Sequence, residues 1–351
     1  MSIFEISMIA TFKRYCLNFK QPSGTSRGVL KTKDTWILTI AKDDKIGVGE
    51  CGMFKGLSCD DRPDYEDKLQ WTCDNINLGL DQLLHELQEF PSIQFGLEIA
   101  FKSLEQKSPY ILFPSEFTES KKAIPINGLI WMGSEAFMKQ QIADKLKQGF
   151  TCIKMKIGAI DFKTEMSLLK SIRKEFTSKD IELRVDANGA FAPNEALEKL
   201  KRLSDYNLHS IEQPIQRGQV QEMTRLCANT SLPIALDEEL IGVFSASEKK
   251  ALIDTIKPQY IILKPSLVGG FSGTKEWISI AEKNNSAWWI TSALESNVGL
   301  NAISQFTYTL KSRLPQGLGT GSLFTNNIQS PLEVNQGALH YNNLVNWDFK
   351  L

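Results

Sequence analysis

Thr151-Cys-Ile-Lys-Met-Lys-Ile157, Glu182-Leu-Arg-Val-Asp186, Ser210-Ile-Glu212, Pro233-Ile-Ala-Leu-Asp237 and Tyr260-Ile-Ile-Leu-Lys264 are short apolar runs, each with a charge at or near its C-terminal end. They recur every 25 to 30 residues or so, the length of one strand, one helix and their turns. Both faces of each run are apolar, as in buried parallel strands. Working outward, Ile124-Pro-Ile-Asn-Gly128 precedes them, Trp288-Trp-Ile-Thr-Ser292 follows, and a weaker run, Gln316-Gly-Leu-Gly319, comes last. The gaps between them, such as Asp161 to Glu175 and Pro193 to Leu203, carry apolar residues at helical spacing. Eight such units close a barrel of the triosephosphate isomerase type; a doubly wound open sheet is the alternative.

The N-terminal third has a different rhythm. Thr35-Trp-Ile-Leu-Thr-Ile-Ala41 and Ile46-Gly-Val-Gly-Glu50 read as strands joined by a polar turn. A charged helical segment begins near Asp60, Asn75 to Phe90 has helical apolar spacing, and a further helix is expected near Pro91 to Gln106. Strands followed by helices suggest an α+β domain. Gln21-Pro-Ser-Gly-Thr-Ser-Arg-Gly28 and Cys51-Gly-Met-Phe-Lys-Gly-Leu-Ser58 read either as substrate-covering loops or as ordinary hairpin connections. The expected division is a capping domain over 1–122, a barrel over 123–322, and a segment over 323–351 that returns to the cap.

Composition narrows the function. The 351 residues carry 40 basic and 41 acidic side chains, which argues against nucleic acid as a partner. No apolar run reaches the roughly 20 residues of a membrane span, and the first residues do not read as a signal peptide. The six cysteines form no C-x-x-C pair and suit a reducing, cytoplasmic setting. With only three scattered histidines, any bound metal is expected on oxygen ligands, as magnesium, calcium or manganese. A homo-oligomer is compatible with the sequence.

The charged strand ends point to chemistry. In a parallel barrel they share one mouth, where active sites lie. Asp186, Glu212 and Asp237 are 26 and 25 residues apart, about one unit each, so three carboxylates converge. A hard divalent cation relieves their repulsion, and magnesium suits carboxylates with open positions. Lys154 and Lys156 lie two apart on one strand and point to the same side. Each disfavours the other's charge, which drives a lysine towards a useful base. Lys264 arrives on the sixth strand, across the mouth. A magnesium between opposed lysines suits proton abstraction beside a carboxylate, with the metal holding the enolate. The turn Gly317-Leu-Gly-Thr-Gly321 has the wrong spacing for a dinucleotide fingerprint. Its Gly319, Thr320 and Gly321 could instead offer backbone N–H groups to a substrate carboxylate. Ser292, Glu295 and Arg27 are weaker candidates for binding the same substrate.

K-x-K, D-x-N, E-Q-P, D-E and K-P on strands two to six together resemble the enolase superfamily, and within it the muconate-lactonising subgroup. The resemblance covers nearly the whole chain. It implies a modified (β/α)7β barrel under an N-terminal α+β cap. It also implies magnesium, or manganese in its place, on Asp186, Glu212 and Asp237. Lys156 is then the base, Lys154 its electrostatic partner and Lys264 the opposing lysine. Ser292-Ala-Leu-Glu-Ser-Asn-Val-Gly-Leu-Asn301, Gln316-Gly-Leu-Gly-Thr-Gly-Ser-Leu-Phe324, Gly49-Glu-Cys-Gly52 and Lys55-Gly-Leu-Ser58 most resemble the o-succinylbenzoate synthase family. That resemblance implies dehydration of a cyclohexadiene dicarboxylate in menaquinone biosynthesis, a small-molecule substrate. Racemisation of N-acylamino acids, dipeptide epimerisation and muconate cycloisomerisation are rivals on the same scaffold. Ser292-Ala-Leu-Glu295 stands where dipeptide epimerases typically carry Asp-x-Asp. A Schiff-base aldolase using Lys264 would not need three carboxylates, and a non-catalytic binding protein leaves the lysine–carboxylate set unexplained.

Overall fold

The computed structural model describes residues 7–25, 28–131 and 133–349. β1 (Ile9–Thr25), β2 (Gly28–Lys42) and β3 (Lys45–Cys51) form an antiparallel sheet. Of the stretch read either as a covering loop or as a hairpin connection, residues 21–25 and 28 are drawn into this sheet, with Ser23 opposite Leu30 and Gly24 opposite Val29. Arg27 lies outside the described residues. Three helices follow: α1 (Tyr65–Asp74), α2 (Leu80–Glu86) and α3 (Pro91–Glu105).

Two local expectations are corrected here. Helical spacing over 75–90 becomes a 3-10 turn and a short helix, because Gly79 takes φ +83° and breaks the run. The acidic segment at Asp60 is not yet helix. Asp60 turns inward and accepts from Ser92 N (2.9 Å) and Ser92 Oγ (2.6 Å), serving the first turn of α3. Helix α3 lies hard against β3; a Cβ on Gly49 would sit 2.0 Å from the Gly96 carbonyl oxygen. The apolar faces of β2, β3, α1 and α3 close the core of this part, around Trp36, Leu38, Leu69, Ile93 and Leu97.

Beyond it come β4 (Ile124–Pro125), β5 (Gly128–Ile130), α4 (Glu135–Lys147), β6 (Cys152–Lys156), α5 (Phe162–Glu175) and β7 (Glu182–Asp186). They are followed by α6 (Pro193–Ser204), β8 (Ser210–Glu212), α7 (Val220–Asn229), β9 (Ile234–Leu236), α8 (Ala246–Ile256) and β10 (Tyr260–Leu263). The series ends with α9 (Gly270–Lys283), β11 (Ala287–Ile290), α10 (Asn297–Thr309), β12 (Leu332–Asn335) and β13 (Ala338–Tyr341). Strands β5 to β11 form one parallel sheet in sequence order. Parallel bridges from Gln316 to Ile126 and from Gly317 to Thr291 join its two edges, so the barrel closes through an eighth strand one bridge wide on each side. This is the modified barrel with an antiparallel N-terminal sheet.

The run Ile124–Gly128 is divided. Ile124 and Pro125 pair antiparallel with β13, while the barrel strand starts at Gly128. The tail does two things. Its hairpin β12–β13 extends β4, and Phe324 bridges Phe19 while Asn326 Nδ2 donates to Cys16 O at 2.7 Å. At the barrel floor Arg184 stacks 4.2 Å from the Trp289 ring and donates to Pro315 O at 2.9 Å; the mouth lies at the other end. There Leu17, Phe54, Leu57, Leu267 and Leu294 pack together, joining cap loops to the barrel mouth. A second joint is Glu98 of α3, which takes the Phe271 and Ser272 N–H groups at the start of α9.

Candidate active site

Register brings the charged residues together. Parallel pairing sets Lys156 beside Asp186 and Asp186 beside Glu212, and two residues lower Lys154 beside Arg184. Asp237 and Lys264 follow the last residues of β9 and β10. Strand alternation then turns Lys154, Lys156, Asp186 and Glu212 to the same, inner side.

All three carboxylates and Lys154 are buried. Lys154 Nζ lies 2.8 Å from Glu212 Oε2 and 3.1 Å from Asp186 Oδ2. Lys156 Nζ is 2.6 Å from Asp186 Oδ2 and 2.6 Å from Asn188 Oδ1. Lys264 pairs with Asp237. Three lysines thus balance three carboxylates. Burial alone would raise the pKa of Asp186, but Lys156 and Lys154 hold it far below the carboxylate range. Burial likewise works against Asp237, and Lys264 prevails and lowers it. Glu212 goes the other way: burial, then Asp186 and Asp237, push it well up against the pull of Lys154. Burial opposes the charge on Lys154 and on Lys264, yet the adjacent carboxylates raise both.

Among the described residues no three acidic, histidine or cysteine side chains stand grouped as a ready ligand shell, because the ammonium groups take the carboxylate oxygens. The donor set nevertheless fits a hard divalent cation. Three oxygen donors sit on adjacent strand ends, and Glu212 Oε1 is buried without a hydrogen-bond partner among the described residues.

Two polar residues in the motifs support the charged ones. Asn188 adopts φ +44°, a conformation asparagine tolerates better than most residues. There its Oδ1 meets Lys156 and its Nδ2 donates to Glu238 Oε1 at 2.9 Å. Gln213 is buried; its Oε1 accepts from Asp237 N (3.2 Å) and its Nε2 donates to Glu239 Oε2 (3.0 Å), which fixes the turn after β9. Both amides belong to the D-x-N and E-Q-P motifs, in which only the acids carry an expected role. An amide next to an acid at a strand end was the available signal.

A cavity of about 600 Å³ opens over this centre. Lys154, Lys156, Asn188 and Lys264 line its base, and Leu30, Phe54 and Leu57 reach over it from the cap. Ser292, Gly319, Thr320 and Gly321 line one wall, with the Ser292 and Thr320 hydroxyls 2.8 Å apart. Glu295 is not on that wall. It is fully buried behind it, accepting from Ala293 N at 2.8 Å and from Ser266 Oγ, so direct substrate contact by Glu295 is corrected.

Residues 138–344 match the family model described as enolase C-terminal domain-like. An o-succinylbenzoate synthase from Desulfotalea psychrophila is 46% identical, over 97% of this chain and 99% of its own. The crystal structure of MenC from Desulfotalea psychrophila LSv54 superposes with a TM-score of 0.85 at 42% identity, covering 95% of this chain and 99% of that one. A dipeptide epimerase from Enterococcus faecalis V583, complexed with Mg and the dipeptide L-Leu-L-Tyr, shares the fold at a TM-score of 0.81 and 19% identity, covering 95% and 96% of the two chains. Enolase superfamily enzymes use a divalent metal. By the matched model, the near-full-length relative and the shared barrel, this chain belongs to the enolase superfamily.

Proposed function

We propose that the chain is an o-succinylbenzoate synthase. It would convert 2-succinyl-6-hydroxy-2,4-cyclohexadiene-1-carboxylate into o-succinylbenzoate and water in menaquinone biosynthesis, as a magnesium-dependent hydro-lyase. The observation that carries the reading is the 46% identity to a protein of that name across 97% of the chain. The cavity supports it, since it sets amines over an oxygen-donor metal site.

In this reading Asp186, Glu212 and Asp237 would hold Mg2+, with Mn2+ as a substitute. The cation would draw charge from the substrate carboxylate and acidify the neighbouring C–H. Lys156 takes that proton; Asp186 and Asn188 aim its Nζ. Lys154 stays cationic, held between Glu212 and Asp186, and serves as the electrostatic partner in the centre. The protonated Lys156 then gives its proton to the departing hydroxyl on the same face, so the C–H and C–OH leave as water and the ring becomes aromatic. Lys264 stays cationic and stabilises the negative charge that develops across the ring. Ser292 and the Gly319–Gly321 turn bind the dicarboxylate.

Residues 1–122 act as the cap, 123–322 as the barrel and 323–351 as the returning segment. The six free thiols support a reducing, cytoplasmic location. The test is to add the cyclohexadiene substrate and Mg2+ to the purified protein and follow aromatic absorbance. Appearance of product, stopped by a chelator, is expected. No product, together with racemisation of N-succinylamino acids by polarimetry, would replace the reading with a racemase.

A further inference from the structure

A second buried charged cluster lies behind the cavity wall, and the mechanism does not use it. It comprises Lys33 on β2, Glu50 on β3 and Glu295 between β11 and α10, none more than 6% exposed. Glu50 crosses from the cap to the barrel. Its Oε1 accepts from Thr35 Oγ1 (2.7 Å) and Ser296 N (2.8 Å), and its Oε2 from Ser296 Oγ (2.5 Å) and Gly299 N (2.7 Å). Those barrel groups are the cap residue and first turn of α10. Glu295 ties two catalytic-side turns together. Ala293, whose N–H it accepts, lines the cavity, and Ser266, whose hydroxyl it accepts, lies two residues after Lys264.

Space around the cluster is fully used. A Cβ on Gly299 would lie 2.8 Å from Glu295 Cβ and 2.9 Å from Glu50 Oε2. Leu294, which also lines the cavity, is held at φ +65°, with its N–H on Ser292 Oγ at 2.9 Å. Lys33 is the basic member of the cluster. Its Nζ is buried with no hydrogen-bond partner among the described residues, and burial lowers its pKa, with Glu50 and then Glu295 opposing that shift.

We infer that Lys33, Glu50 and Glu295 are positioning residues: charge on the cap holds the Ser292–Ser296 wall and, through Ser266, the turn that carries Lys264. The inference rests on the dehydratase reading and deepens it. Without Lys33, two buried carboxylates face each other uncompensated, and the wall between them moves. Neutralising Glu295 as well removes that repulsion, so the second change should repair the first.

The test compares the full-length wild type with Lys33→Met, Glu295→Gln and the double variant, each with Mg2+ and well below its unfolding midpoint. Lys33→Met is expected to lose about tenfold to 100-fold in kcat/KM, the scale of a misplacement near 1 Å. Its amides over 264–267 and 293–299 should exchange faster with solvent deuterium. The double variant should recover several-fold in kcat/KM over Lys33→Met, with slower exchange. A cluster that serves only as packing would lower the melting point of each variant and leave kcat/KM and exchange at these segments unchanged. That result, or losses that simply multiply, overturns the inference. If the wild type fails to turn over the substrate, the functional reading fails, and the exchange data alone decide whether the cluster holds the wall.

Discussion

Lys154→Met keeps the length of the stem and deletes the amine. In the intact protein that amine lies 2.8 Å from Glu212 and 3.1 Å from Asp186. At an effective dielectric constant of about 20, each contact amounts to about 5–6 kcal/mol of Coulomb attraction. Much of this is offset by desolvation, and breaking a buried pair costs about 3–5 kcal/mol net. The variant also leaves the centre with two lysines against three carboxylates, an excess negative charge that a divalent cation neutralises. Two outcomes follow from this. In chelator, urea unfolding of the variant should show a stability loss of about 3–5 kcal/mol. In calorimetric titration, Mg2+ should bind the variant at least about tenfold more tightly than the wild type, since it no longer competes with that ammonium; a factor of ten needs only about 1.4 kcal/mol. Equal Mg2+ affinity in the two proteins, or no binding to either, would refute the view that these carboxylates receive the cation. Unchanged stability in chelator would refute the Lys154 contacts themselves.

Lys156→Ala and Lys264→Ala should each reduce dehydration by about 1,000-fold or more, with circular dichroism unchanged; full activity in Lys156→Ala removes it as the base. Asp60 offers a stability test away from the mouth. Burial raises its carboxyl from 3.8 to about 6, so the folded protein keeps a proton that the unfolded chain releases. Its contribution is therefore fully present below pH 3.8 and is lost as pH rises through about 6. Asp60→Asn should remove that slope from the variant, so that the difference between variant and wild-type unfolding free energies changes between about pH 4 and 7; a difference independent of pH would locate the titration elsewhere.

The barrel was legible because its signal is local and repeated. Each run from Thr151 to Lys264 is apolar on both faces and ends in a charge, and the parallel register aligns those ends without further instruction. Lys154 and Lys156 were readable as a pair because strand alternation is rigid. What the sequence concealed depends on distant partners. Asp60 resembles a helix-starting acid until Ser92, 32 residues away, captures it. Glu295 resembles a substrate ligand until Ser266 and Ala293 turn it inward. Ile124 and Pro125 look like the head of a barrel strand, and only β13, more than 200 residues later, shows why they leave it. Gly79 stopped a helix whose apolar spacing continued across it, a case where backbone geometry overrides periodicity.

The joints made by Glu50 and Glu98 bear on how molecules come and go. Swinging the N-terminal sheet and α3 off the barrel would strip both carboxylates from the first turns of α9 and α10 together, at about 1.5–3 kcal/mol for each charge-assisted hydrogen bond lost. A hinged door is therefore a poor route for traffic. Passage falls instead to Leu30, Phe54 and Leu57, apolar side chains that can rotate aside without breaking a charged contact. The rate at which product escapes should then respond to the bulk of those three residues and hardly at all to the salt concentration.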